Sequence, residues 1–253
     1  MQNGRKRLQG EKIESELHTI AAELRIIFGS PKRKSKLPNP LDLLIATILS
    51  QNTNDANSHQ AYLNLKAVYP DFFSLADVRP KVIEPLIKVG GIANRKSKVI
   101  VRVVKQIQVG FPGFRPTLLK RIDRYELTDR LCQLDGVGYK TASCVLLFAL
   151  GDDDAFPVDT HIHRILNRIG TVKTGTPDKT YLAVRDAITE GIGYELHLNL
   201  IKFGRSICMA LKPKCYDCPL NARCRWKDKN RQIPASSSRT KSRKVDFMHL
   251  KEV

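Results

Sequence analysis

Residues 131–159, LCQLDGVGYKTASCVLLFALGDDDAFPVD, constrain the chain more than any other stretch. Gly136-Val137-Gly138 is a glycine-paired turn, and Lys140 lies just past it. Val145, Leu146, Phe148 and Ala149 continue the helix that Lys140 opens. A Gly-x-Gly turn permits backbone geometries closed to other residues and a close approach by another backbone. A helix that starts there points free N–H groups outward, where they favour an anion such as a phosphate. Lys140 beside such a turn is a candidate for chemistry, and Asp159 follows a second loop. An ordinary helix–turn–helix connection with a solvated lysine has the same local pattern, so the assignment depends on the rest of the chain.

The rest reads as helix. Ile13, Leu17, Ile20, Leu24 and Ile27 recur at helical spacing over residues 11–28, after a polar, basic start read as a tail. Residues 41–49, LDLLIATIL, are apolar nearly all round and predict a buried helix. The polar run from Ser50 to Asp55 follows, and its amides either cap helices or reach base edges; Gln51 lies within it. Helical period resumes over 56–68, and two short segments cover 72–77 and 80–89. The turn Gly90-Gly91-Ile92-Ala93-Asn94 opens a helix with Val99, Ile100, Val103, Val104 and Ile107 on its apolar face. Ile92 at the tip of that turn is either packed inward or a wedge for something outside. Further helices are expected near 117–121, 127–133, 139–150, 164–169, 177–190 and 194–210, with Asp159 placed as an N-cap. No stretch alternates in the manner of a strand. The fold class is all-α, with about ten to twelve helices.

Lys and Arg total 43 against 25 Asp and Glu, a formal charge of +18. That excess favours a polyanion, nucleic acid first. No stretch approaches a membrane span and no apolar signal core opens the chain, so an intracellular protein that engages no membrane is expected. Four of the six cysteines cluster as Cys208-x6-Cys215-x2-Cys218-x5-Cys224, whereas Cys132 and Cys144 lie in apolar helices. Clustered cysteines in an intracellular chain point to a metal, and both zinc and an iron–sulfur centre accept four thiolates. After Trp226 the chain is serine-rich and basic, and 227–253 is expected to be a disordered tail.

Taken together, these residues resemble endonuclease III, of the helix–hairpin–helix DNA glycosylase superfamily. LDGVGYKTA is similar to the family hairpin, VDTHIHRILNR to its VDTHxxRxxNR segment, and the cysteine spacing to its [4Fe–4S] loop. Asp135 replaces the usual hairpin proline, and Tyr139 stands where bacterial forms often carry arginine. These departures bear on substrate preference more than on chemistry. The resemblance covers about residues 11–226.

The resemblance implies a two-lobed fold. A six-helix barrel lobe would take 40–152, and a cluster lobe would take 153–226, joined by the tail and helix of 1–39. It implies Lys140 and Asp159 as catalytic residues and Cys208, Cys215, Cys218 and Cys224 as ligands of a [4Fe–4S] cluster. Gly136, Val137 and Gly138 would bind DNA through their backbone, and Gln51 and Ile92 would enter the duplex. The Gln51 segment, LSQNTND, is offset from the bacterial LSAQATD.

The expected partner is double-stranded DNA with a damaged base or abasic site, and the expected protein is a monomer in the cytoplasm or nucleoid of a prokaryote. The implied activity is that of a bifunctional glycosylase and AP lyase of base excision repair, acting on oxidised pyrimidines. A monofunctional thymine or uracil mismatch glycosylase is the alternative, although such relatives usually have tyrosine or serine in place of the lysine. Adenine-specific relatives carry a glutamate where this chain has Thr47. A catalytically inert iron–sulfur DNA-binding protein is the remaining class, and retention of Lys140 and Asp159 argues against it.

Overall fold

The computed structural model describes residues 2–111 and 113–229, with side chains from Arg7 onward. In chain order its α-helices are α1 (Gln2–Phe28), α2 (Pro40–Leu49), α3 (Asp55–Val68), α4 (Pro80–Ile83), α5 (Ala93–Gly110), α6 (Pro116–Leu119), α7 (Arg124–Cys132), α8 (Tyr139–Cys144), α9 (Thr160–Ile169), α10 (Pro177–Val184) and α11 (Gly193–Ser206). Short 3-10 or π segments supplement them, and no strand occurs among the described residues, so the protein is all-α.

The chain divides into two compact units. Among the described residues, one holds 34–152 and the other holds 2–33 together with 153–229. In the first unit, α2 is the hub, packed by α3, α5 and α8. Asn39 caps it by accepting from Leu41 N at 2.8 Å, and Pro40 supplies a preset first turn. Leu41, Leu43, Leu44, Ile45, Ile48 and Leu49 are all buried, as the unbroken apolar run requires. Each such side chain contributes about 2 kcal/mol of transfer free energy.

In the second unit, α1 packs against α10 and α11, and α9 packs against both of those helices. Leu17, Ile20 and Leu24 of α1 are fully buried. Polar ties fix the register of α1: Thr189 donates to Glu14 at 2.6 Å and Arg25 to Glu195 at 2.6 Å.

Of the boundaries that differ from expectation, three change the local architecture. The basic start is the opening of α1, which runs helical from Gln2 instead of forming a tail. The helix expected over 139–150 changes at Val145 into a π segment, Val145–Leu150. There Asp152 N reaches Leu146 O at 3.0 Å and Gly151 closes the turn in the left-handed region, φ 73°. The widened turn accommodates an extra residue where all six side chains are buried, which apolar periodicity alone does not reveal. The helix expected over 177–190 ends at Val184, and a 3-10 turn, Arg185–Ala187, leads into extended, buried Ile188. Most of the 227–253 tail lies outside the described residues.

Candidate active site and cysteine cluster

The hairpin joins α7 to α8. Val137 N donates to Leu134 O at 3.1 Å, closing the turn. Gly138 is the N-cap of α8 and supplies no side-chain cap, and a helix start of this kind favours an anion. Val137 is buried and anchors the turn, while Gly136 and Gly138 on either side of it are exposed. Gly136 has φ 71°, and a Cβ there would sit 2.8 Å from Val99 Cγ1 of α5. Only glycine meets both the conformation and the close approach.

Asp135, the departure from the family hairpin, bonds to α5 in a way a proline could not. Its N–H donates to Gln106 Oε1 at 3.0 Å, and its carboxylate receives Arg102 Nη1 at 2.9 Å. Lys140 is the second residue of α8 and is half-buried.

The loops after α2 and before α5 meet this hairpin. Gln51, Ile92, Arg95, Lys96 and Gly136 line one pocket. Gln51 Nε2 donates to Gly136 O at 3.1 Å. Ile92 is 52% exposed, which removes the inward-packed alternative. It is also the N-cap of α5 in the left-handed region, φ 50°, ψ 38°. That backbone is costly for a β-branched residue, by about 1–3 kcal/mol, and is held only where its surroundings dictate it.

Asp159 is the N-cap of α9, accepting from Ile162 N at 2.8 Å through Oδ1. The same helix carries His161, Arg164 and Arg168. Arg164 donates to Cys208 O at 2.9 and 3.0 Å and to Gly204 O at 3.0 Å, and its Nη2 lies 3.0 Å from His161 Nδ1. Burial lowers the His161 pKa; the Asp159 charge opposes that shift and Arg164 reinforces it. Burial likewise lowers the pKa of His163, whose Nδ1 is 2.7 Å from Thr180 Oγ1.

Cys208, Cys215, Cys218 and Cys224 line a single apolar cavity, closed by Phe203 and Leu220 among others. Arg168 reaches Cys208 Sγ at 3.5 Å and Met209 O at 2.8 Å, with its guanidinium 4.2 Å over the Trp226 ring. The loop is braced throughout. Asn221 donates to Cys215 O at 2.7 Å, Lys229 Nζ to the carbonyls of Asn221 and Cys224 at 2.8 Å each, and Arg223 to Glu23 of α1 at 3.0 Å. Burial, joined by repulsion from the other thiols, pushes the Cys218 thiol up to about 12; the Cys215 thiol rises for the same reasons. Such thiols ionise only beside a cation, and an all-sulfur donor set suits a soft one. Among the described residues no three His, Cys, Asp or Glu converge on one ion position.

Sequence reasoning passed over Lys96, and it gave Arg164 and Arg168 no role although both are fixed positions of the VDTHxxRxxNR pattern. Arg164 and Arg168 stand four residues apart in the segment after Asp159. Lys96 shares the helical face of Ile100, Val103 and Ile107, an apolar face on which a lysine is out of place.

Residues 45–190 match the HhH-GPD superfamily, described as base excision DNA repair proteins. Endonuclease III of Thermotoga maritima is 35% identical over 194 residues, covering 77% of this chain and 86% of that protein. A solved non-covalent endonuclease III–DNA complex superposes with TM-score 0.72 at 26% identity, covering 87% of this chain and 99% of the other. A trapped endonuclease III–DNA covalent intermediate gives TM-score 0.70 at 27% identity, with the same 87% and 99% coverage.

Proposed function

The chain belongs to the endonuclease III family within the HhH-GPD superfamily of base excision DNA repair proteins, and from that premise we propose a bifunctional DNA glycosylase and AP lyase that removes oxidised pyrimidines from duplex DNA. The observation that carries the lyase reading is Lys140, half-buried on the first turn of α8 directly after the glycine hairpin.

A base inside the duplex is out of reach, so the nucleotide is extruded, with Gln51 and Ile92 filling the stack. The neutral Lys140 amine bonds to C1′ as the C1′–N bond breaks, and the base leaves with the electron pair and gains a proton. Asp159 stabilises the positive charge that builds on the sugar and assists proton transfer. Ring opening gives a protonated imine. Removal of a C2′ proton then expels the 3′ phosphate, and water releases the enzyme from the cleaved strand. Lysine is the residue type in this hairpin able to form that imine; Tyr139 and Thr141 are not.

Cys208, Cys215, Cys218 and Cys224 would hold a [4Fe–4S] cluster. The four sulfurs line one apolar cavity, and their Cys-x6-Cys-x2-Cys-x5-Cys spacing, which resembles the family's [4Fe–4S] loop, supports a cluster over zinc. The cluster would shape a basic loop for phosphate contact; its four thiolates supply the ligation and Arg168 a balancing charge. The barrel lobe is assigned to 40–152 and the cluster lobe to 153–226 with the helix of 1–39. The +18 charge supplies salt-dependent affinity for the DNA backbone.

A nicking assay on a duplex with one oxidised pyrimidine tests this reading. Purified protein should release the base, cut 3′ to the site, and become covalently fixed to the DNA when borohydride is present. Base release without strand cleavage or trapping would instead indicate a monofunctional glycosylase.

A further inference from the structure

Lys96 lies on the apolar face of α5 and is only 4% exposed. Its ammonium donates to Leu49 O at 2.7 Å and to Gly90 O at 2.8 Å. Leu49 ends α2, and Gly90 ends the 3-10 turn Lys88–Gly90. Both carbonyls therefore belong to C-terminal turns that need donors from outside. Gln51 follows Leu49 by two residues, and Ile92 follows Gly90 by two. Each of these loops then enters a left-handed conformation, at Asn52 (φ 53°) and at Ile92 (φ 50°). Lys96 also lines the pocket it shares with Gln51, Ile92 and Gly136. Burial lowers its pKa, so holding an amine here has a cost that an apolar side chain would avoid.

We infer that Lys96 is a positioning residue for lesion recognition, bridging the two carbonyls so that Gln51 and Ile92 act on the duplex as one coupled unit. This rests on the reading that those two side chains enter the stack. Two independent loops would each have to be ordered on binding, and a shared donor orders both in advance. The strained backbone at Ile92 is held by such a constraint. Gln51 adds a third tie through Gly136 O, which extends the unit to the hairpin.

The test is a mutant cycle in single-turnover kinetics, read on two substrates. One is a duplex with a single oxidised pyrimidine; the other is a single-stranded abasic oligonucleotide, which offers no stack to penetrate. Lys96→Met should slow base release from the duplex by about tenfold more than it slows cleavage of the single strand. In a Gln51→Ala/Ile92→Ala background, adding Lys96→Met should cost almost nothing further, because the residues it acts through are gone. Lys96→Arg, which retains donors and charge, should recover part of the loss. Should Lys96→Met lose its helical circular dichroism, Lys96→Gln takes its place, since an amide reaches at most one carbonyl well. Equal losses on both substrates, or full additivity in the double-alanine background, would make Lys96 a plain core tie and overturn the inference. Wild-type protein inactive on both substrates would instead sink the functional reading on which it rests.

Discussion

Gln51 Nε2 donates to Gly136 O at 3.1 Å, so the polar loop after α2 is bound to the glycine turn of the hairpin. A side chain proposed to enter DNA is thus pre-oriented by the backbone proposed to hold phosphate. Ile92, which lines the same pocket, is held in a backbone conformation it would not choose.

Gln51→Ala and Ile92→Ala should each weaken binding to a lesion duplex more than binding to undamaged DNA. Filling a vacated stack matters only where a base has left it. Fluorescence anisotropy with paired duplexes, one carrying an abasic analogue, measures both constants. Equal weakening on the two duplexes would return these residues to a local structural role.

The purified protein should contain iron and show broad visible absorbance, both lost together in Cys218→Ser. Elemental analysis that finds stoichiometric zinc and no iron would reassign the site. Removing the metal should lower the melting temperature, since four crowded thiols, Cys218 among them at about 12, are stable together as thiolates only beside a cation.

Acidification should destabilise the fold near the histidine range. The folded-state pKa values of His161 and His163 lie below the ordinary 6.5, in both cases chiefly through burial. Between the lowered folded value and the unfolded value, the unfolded chain binds more protons. Stability therefore rises with pH through that window and is lost as pH falls below about 6.5. Melting curves from pH 7.5 to 5.5 (roughly one unit either side of that value) should show the decline, and a His161→Gln/His163→Gln double variant should flatten it. An unchanged slope in the double variant would assign the pH dependence to other groups.

The helical period of α1 and α5 was legible because each presents a clear apolar face to a core. The change to a π segment at Val145 was not. A stretch buried on every side has no polar face to mark its phase, and the extra residue is set by what packs around it. Asp159 as a cap was readable from its place before a helix. The Arg164 bonds to Cys208 O were not, because they join residues 44 positions apart and exist only once α9 lies on α11. Lys96 left a trace as a charge on an apolar face, but its two acceptors come from loops that only the tertiary fold assembles. The same holds for Asp135. Its replacement of proline reads as a departure in sequence and becomes a pair of bonds to Gln106 and Arg102 in the fold.

Lys140→Gln and Asp159→Asn should separate the two chemical roles. Lys140→Gln keeps similar bulk on the first turn of α8 but has no amine able to form an imine. Borohydride trapping and strand cleavage should vanish while duplex binding stays close to wild type. Asp159 needs a different control, because it also caps α9 through Ile162 N at 2.8 Å. Asparagine caps a helix about as well as aspartate, so Asp159→Asn retains that bond. It gives up only the charge at the helix N-terminus, worth about 0.3–1 kcal/mol. Its melting temperature should therefore move little. Base release should nevertheless slow by about a hundredfold or more, because a neutral amide stabilises the developing sugar cation far less. Asp159→Ala should lose the cap as well, about 1 kcal/mol of stability, and serves to show what the structural part of the role is. If Asp159→Asn released the base at the wild-type rate, Asp159 would be a cap and nothing more. If Lys140→Gln still trapped on DNA, the nucleophile would be another amine.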